Sequence, residues 1–311
     1  MTSKATQANL LKQFRSLTNA SAADGTRLLK SSNWRIEAAV DAFYNDATAI
    51  SNAAASSSGG TAKGSTSAKR EKEARDKLGA IFDRFADQEV PGGQEMNIDG
   101  TMEYCEELGV SPEDVALLPL SFYLSSPTMG KFNKTAFVDG WRVLAAGAEG
   151  ECDTIEGMKA RLPSLREELS KDAPVKGDLA KAPGAGKGGL FKRVYEYTYT
   201  FARPEGQKSL PLDSALAFWD LLIPHAPTFE TQGGNFTPRQ LELWKEYLEE
   251  KTAGKAVSKD TWSLFLDFTA DIDPEFKTHD FDAAWPSLID GFAVWAREKL
   301  EKGEEGSMDE S

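Results

Sequence analysis

Cysteine and histidine are scarce in this chain, with two of each in 311 residues: Cys105 and Cys152, His225 and His279. Two cysteines without metal-ligand spacing make neither a disulfide framework nor a zinc site, and a reducing compartment, cytoplasmic or nuclear, is expected. The two histidines stand alone, without the neighbours that a metal centre or a nucleophilic triad requires. Long apolar runs are missing as well. None approaches the ~20 residues of a membrane-spanning helix, and the polar opening Met1-Thr-Ser-Lys-Ala-Thr-Gln7 does not read as a signal peptide, so no membrane partner is expected. Basic excess is absent: 36 Lys and Arg face 49 Asp and Glu, a net charge of −13. Phosphate backbones are held by concentrated positive charge that releases counterions, so nucleic acid is excluded and a basic protein partner is favoured.

Motifs that would carry chemistry are also incomplete. Gly184-Ala-Gly-Lys187 has no buried strand before it and no Ser or Thr after the lysine to reach magnesium, so it reads as a solvent loop. Cys105 lies within Glu103-Tyr-Cys-Glu-Glu107, where neighbouring acids disfavour a thiolate. Asn97-Ile-Asp-Gly100 and Met129-Gly-Lys-Phe-Asn133 are similar to the strand pair that joins two EF-hand loops. With Ile98 and Phe132 at the eighth loop position, the first, third and fifth ligand slots fall on Pro91, Gly93 and Glu95, then on Ser125, Pro127 and Met129. A single carboxylate in those slots is too little oxygen ligation for calcium. A degenerate EF-hand-like pair is expected, with no metal, no cofactor and no catalytic nucleophile.

What the chain does have is helical patterning. Residues 7–45 carry three short apolar patterns: Leu10, Leu11 and Phe14; Leu28 and Leu29; then Ile36, Ala39, Val40 and Phe43. Asp24-Gly25 or the Ser21 region opens the second, and Asn33-Trp34 marks the turn into the third. This three-helix layout over residues 1–46 resembles a ubiquitin-associated domain, with Trp34 and Phe43 as core aromatics. The Ala/Ser/Gly/Thr-rich stretch that follows reads as a flexible linker, 47–72. Order returns with the stripe Leu78, Ile81, Phe82 and Phe85, and residues 73–300 read as an all-α domain. Ser111-Pro112 with Asp114, and Thr237-Pro238 with Gln240, carry the marks of helix starts. Lys171 to Gly189 and Ile223 to Gly234 read as long surface loops, and 301–311 as a disordered acidic tail. The fold class expected is therefore all-α, a small bundle followed by a larger helical domain.

Two blocks near the end are the most informative. Ser258-Lys-Asp-Thr-Trp-Ser-Leu-Phe-Leu-Asp-Phe268 and Ala283-Ala-Trp-Pro-Ser-Leu-Ile-Asp-Gly-Phe292 each read as a helix, with Trp262, Leu266 and Phe268, then Trp285, Leu288, Ile289 and Phe292, turned inward. Asp260 and Asp290 stay outside these stripes, and with the small Ala284 they suggest a shallow acidic notch. The blocks resemble the C-terminal signature of the potentiating-neddylation domain of the defective-in-cullin-neddylation family. Cys152-Asp-Thr-Ile-Glu-Gly-Met-Lys-Ala-Arg-Leu-Pro163, Tyr197-Thr-Tyr-Thr-Phe-Ala202, Gly206-Gln-Lys208 and Ala217-Phe-Trp-Asp-Leu221 extend the likeness over roughly residues 75–300.

The resemblance implies an adaptor-type neddylation ligase component that binds the C-terminal region of a cullin and the neddylation conjugating enzyme. It implies cullin binding by Asp260, Ala284 and Asp290. It also implies an apolar pocket for the acetylated N-terminal methionine of the conjugating enzyme, at Ile98, Thr101, Leu117, Leu120, Ser121, Met129, Phe132, Phe201 and Leu221. From the residues alone, most of that second set would be assigned to the core. The first module would take ubiquitin or the ubiquitin-like modifier as its partner, although Ser16-Leu-Thr-Asn-Ala-Ser21 departs from the Met-Gly-Phe-type turn with which many such domains contact ubiquitin. The alternative is a ubiquitin-binding scaffold or shuttle without neddylation activity.

Overall fold

The structure, a computed structural model, describes residues 4–18, 20, 22–44, 46, 62–146, 152–181 and 188–308. The chain divides into two units, Met1–Glu73 and Ala74–Ser311. In the first, α1 (Lys4–Thr18), α2 (Ala22–Ser31) and α3 (Ile36–Tyr44) bury Phe14, Leu28, Leu29, Ala39 and Phe43 against one another. Phe14 and Phe43 meet edge to face at 6.2 Å, and Trp34 packs half-buried on the cluster. The turn into α3 falls where the sequence places it, with Asn33 and Trp34 at φ 50° and 58°. Asp24-Gly25 does not open α2. Gly25 is buried inside that helix, where a Cβ would stand 2.9 Å from Leu11 Cδ1, so its smallness serves the close approach of α1.

Helix α4 (Ala62–Phe85) begins within the stretch expected to be linker. The physical reason is propagation. Leu78, Ile81, Phe82 and Phe85 are buried and anchor the helix, and the Ala, Lys, Glu and Arg residues before them extend it readily, with Lys69 and Glu73 paired one turn apart. Residues 47–61 lie outside the described residues.

Beyond α4, β1 (Glu95–Met96) pairs antiparallel with β2 (Phe132–Asn133), setting Met96 opposite Phe132. The expected register, with Ile98 opposite Phe132, is thus displaced by two residues. Asn97 is the cause: its side chain accepts the Gly100 N–H at 3.1 Å and caps α5 (Ile98–Leu108), so Ile98 opens a helix instead of ending a strand. Ser111-Pro112 likewise starts no helix. Asp114 accepts the Ala116 N–H in a local turn and pairs with Arg166, and α6 (Leu117–Tyr123) begins after that turn. Asn133 caps α7 (Lys134–Ala145) and Thr154 caps α8 (Ile155–Ser170).

The remaining helices are α9 (Leu190–Ala202), α10 (Leu212–Leu222), α11 (Pro238–Thr252), α12 (Lys259–Asp271) and α13 (Ser287–Met308). Thr237 and Gln240 form the reciprocal capping box that Thr237-Pro238-Arg-Gln240 announces. Helix α13 continues through most of the stretch expected to be a disordered tail, because its buried residues up to Ala296 seed a helix that Glu and Lys then extend. The segment 223–234 is no solvent loop: Ile223, Ala226 and Phe229 are buried, and two 3-10 turns fold it onto the core. Gly184-Ala-Gly-Lys187 lies outside the described residues. No described helix is long and apolar enough to cross a membrane.

Aromatic contacts join the last five helices. Tyr195 on α9 stacks on Trp262 of α12 at 4.7 Å, and Trp262 stacks on Trp219 of α10 at 5.1 Å. Trp244 on α11 lies 4.4 Å from Phe265 and 4.9 Å from Phe292 of α13. Interlocked rings of this size make a rigid platform, and the exposed residues of α12 and α13 are carried on it.

Candidate functional site

Asp260 occupies the first turn of α12, behind the Ser258 cap, and is exposed; a carboxylate there also complements the positive end of the helix dipole. The second block is only partly helical. The Ile289 and Asp290 N–H groups donate to Pro286 O, and α13 starts at Ser287. A residue before proline is pushed toward extended backbone, so Ala284 and Trp285 fall outside the helix and Ala284 stands exposed in the preceding loop. Asp290, in the first turn of α13, keeps a third of its side chain exposed.

Trp285, the neighbour of Ala284, and Asp290 belong to one cluster. The ring of Trp285 packs on Phe268 at 6.0 Å and on His279 at 5.8 Å, and His279 Nε2 lies 2.8 Å from Asp290 Oδ1. Asp260 lies eight residues from Phe268, about 12 Å along α12, and among the described residues no hydrogen bond or ion pair ties it to this cluster. The loop between the helices is fixed at its base by buried Phe276, which takes φ 58° and packs on Phe292 at 5.2 Å, and by Gln240 Nε2 donating to Asp273 O. Residues 271–290 hold six acids, Asp271, Asp273, Glu275, Asp280, Asp282 and Asp290, against the single cation Lys277. Burial works to raise the Asp273 carboxyl, but the N–H groups of Thr278 and Glu275 outweigh it and hold the group below the usual carboxylate range. The arrangement is an acidic ledge that can receive a basic surface.

The second residue set is part core and part surface. Ile98 and Met129 are 56% and 48% exposed, whereas Leu120, Ser121, Phe132 and Phe201 are buried and Leu117 and Leu221 half-buried. Gly130 joins two of them: at φ +72°, it lets the loop lie so close that a Cβ would stand 2.3 Å from Ile98 Cδ1. The Met129 N–H donates to Phe201 O at 3.3 Å. Ser126 Oγ donates within the same loop, to Thr128 O or Lys131 O, and Tyr197 Oη donates to Ser126 O at 2.7 Å, so α9 holds the loop in place. Leu117, Leu120 and Ser121 lie on α6, which packs on α9, as does α10 with Leu221. Thr101 places a buried Oγ1 in this region, without a hydrogen-bond partner among the described residues.

Three residues of these surfaces escaped the sequence reading. Met102, 49% exposed, continues Ile98 at the i+4 position and follows once Asn97 is recognised as a cap. Phe281, 46% exposed among acids, was open to notice as an aromatic in a polar loop. His279 had no local signal. It and His225 both have partners: Asp290 for the first, and Ser170 Oγ at 3.1 Å from Nδ1 for the second. Both cysteines are buried, and burial pushes the Cys105 thiol up to about 11 and raises that of Cys152. Burial, not the adjacent acids, is what suppresses the Cys105 thiolate.

Residues 157–295 match the family described as cullin binding, and residues 8–49 match the UBA-like domain family. The first match contains Asp260, Ala284 and Asp290. Among similar proteins, defective in cullin neddylation protein 1 of Mycosarcoma maydis is 47% identical over 96% of this chain and 97% of its own length. The protein of the same name from Cryptococcus neoformans is 36% identical over 93% of this chain and 94% of its own. DCN1-like protein 3 of Homo sapiens is 31% identical over 80% of this chain and 71% of its own. With a fold built of a UBA-like bundle and a larger helical unit, and with relatives that match nearly end to end, the chain belongs to the defective-in-cullin-neddylation family.

Proposed function

We propose that this chain is an adaptor-type neddylation ligase component, which binds a cullin and the neddylation conjugating enzyme together and promotes transfer of the ubiquitin-like modifier to the cullin lysine. The observation that carries this reading is the 47% identity to defective in cullin neddylation protein 1 of Mycosarcoma maydis over almost the whole of both chains. The acidic ledge that bears Ala284 and Asp290, together with Asp260 on α12, is the cullin-docking surface. Acidic side chains around a small residue suit a basic patch, with Ala284 leaving room for a long Lys or Arg of the partner. The surface from Ile98 to Phe201 receives the acetylated methionine of the conjugating enzyme, its apolar side chains covering the thioether while the amide replaces the charged amine. The UBA-like unit, with Leu17 and Tyr44 exposed, takes ubiquitin or the modifier.

The chain's contribution is proximity. Holding both partners on one rigid helical unit raises the effective concentration of the acceptor lysine and restricts its orientation toward the thioester. With Cys105 and Cys152 buried and their thiols shifted upward, the transferring cysteine is the conjugating enzyme's own. Calorimetric titration of a cullin C-terminal region into the Asp260→Lys, Ala284→Arg, Asp290→Lys variant tests the docking surface. A loss of about 1–3 kcal/mol or more is expected with the fold intact; undiminished affinity of the folded variant would refute it.

A further inference from the structure

We infer that His279 is a positioning residue for the docking surface: it fixes the Asp290 carboxylate in its binding orientation and closes the loop that presents Ala284. The inference rests on the docking role proposed above for Asp290. The His279 side chain is only 2% exposed, in contrast to its partner at 33%, so the pair is a buried imidazole holding a carboxylate that still faces solvent. Because an ionised carboxylate offers only lone pairs, His279 Nε2 carries the hydrogen and donates it to Asp290 Oδ1 at 2.8 Å. Among the described residues no hydrogen bond engages Oδ2, which leaves it to accept from a partner.

Three rings hold the imidazole against rotation. Phe281 meets it edge to face at 4.5 Å, with Phe268 at 5.6 Å and Trp285 at 5.8 Å. An unrestrained aspartate on a first helical turn samples several rotamers, and a partner must bear the cost of selecting one. Here a walled-in donor makes that selection before docking. The same bond joins residue 279 to residue 290 across eleven positions, so it ties together the two ends of the segment that carries Ala284. Trp285, next to Ala284, packs on the imidazole face, which extends the restraint to the loop itself.

The experiment compares full-length His279→Phe, which retains an aromatic ring but no donor, with His279→Gln, whose amide nitrogen can reach the same oxygen. Each is titrated with a cullin C-terminal region, alone and in an Asp290→Ala background, and thermal unfolding is followed in parallel. His279→Phe should weaken binding about fivefold to tenfold, the loss of one preorganised charge-assisted bond. His279→Gln should restore affinity to within about twofold of the parent. In the Asp290→Ala background, which has no oxygen for the imidazole to reach, His279→Phe should have no further effect. Should His279→Phe fail to fold, His279→Met supplies the side chain without a donor. Parent-like affinity for the donor-less variant, a Gln variant as weak as the Phe variant, or an undiminished effect in the Asp290→Ala background would each overturn the positioning role. If Asp290→Ala alone leaves binding unchanged, the docking assignment of Asp290 falls first and the positioning role falls with it.

Discussion

Tyr195 and Trp262 hydrogen-bond reciprocally across the interface of α9 and α12: Tyr195 Oη donates to Trp262 O at 2.7 Å, and Trp262 Nε1 donates to Tyr195 O at 3.0 Å. Their rings stack, and Trp219 Nε1 donates to the same Tyr195 hydroxyl at 2.8 Å. The helix that holds the loop bearing Met129 is thereby locked to the helix that carries Asp260 in its first turn. Burial of the Tyr195 hydroxyl raises its pKa well above the ordinary phenol value, so it remains a donor throughout the accessible pH range.

Tyr195→Phe keeps the ring and removes only the oxygen, leaving Trp219 Nε1 without its acceptor in a buried site. The expected cost is about 1–3 kcal/mol in denaturant unfolding, the penalty of an orphaned buried donor. A variant as stable as the parent would show that this bond does not lock the helices.

Asp114 and Arg166 are joined by two hydrogen bonds, one of them Nε to Oδ1 at 2.9 Å, and this pairing holds the Asp114 carboxyl below its usual range against the opposing effect of burial. A carboxylate with a lowered folded-state pKa stabilises the fold above its unfolded value, and the gain disappears as pH falls through the folded value. Asp114→Asn should therefore cost about 1 kcal/mol at neutral pH, a modest figure because both partners are partly exposed. The difference from the parent should narrow as pH falls below about 4, through the lowered folded value. Urea unfolding of both proteins at pH 7 and pH 3 measures it, and a difference independent of pH would contradict the account.

The same pair marks what could be read from the sequence and what could not. Thr237-Pro238-Arg-Gln240 was legible because each capping partner lies within three residues of the other. Ser111-Pro112 looked equivalent, but Asp114 is drawn away by Arg166, 52 residues further on, and no local pattern carries that information. The all-α class and the buried stripes of α4, α12 and α13 followed from spacing, since apolar periodicity is itself local. Register was harder. Asn97 is a cap rather than a strand residue, and that moved Ile98 from the strand pair to the start of α5. At the acidic ledge, Asp260 and Asp290 could be placed on helices from their neighbours. The His279 contact depends on how a loop closes, and Pro286 decides that Ala284 lies in that loop.

For the apolar surface around Ile98, Met129 and Phe201, acetylation of the entering methionine should strengthen binding at least about tenfold, roughly 1.4 kcal/mol, because a free ammonium must be desolvated without a paired charge. Titrating the chain with the acetylated N-terminal peptide of the conjugating enzyme and with its unmodified twin checks this. Equal affinities would remove the acetyl-methionine role of this surface while leaving cullin docking untouched.

The central claim, that this chain accelerates modification by holding two partners and takes no covalent part itself, is tested most directly by reconstituted transfer from charged conjugating enzyme to a cullin. Rates are compared without this chain, with it, with the Asp260→Lys, Ala284→Arg, Asp290→Lys variant and with the Cys105→Ala, Cys152→Ala variant. The parent and the folded cysteine variant should accelerate transfer equally, the docking variant should fall back toward the unaided rate, and no thioester should form on this chain. An unaided rate at every concentration of the parent, or a thioester trapped on Cys105 or Cys152, would contradict the account.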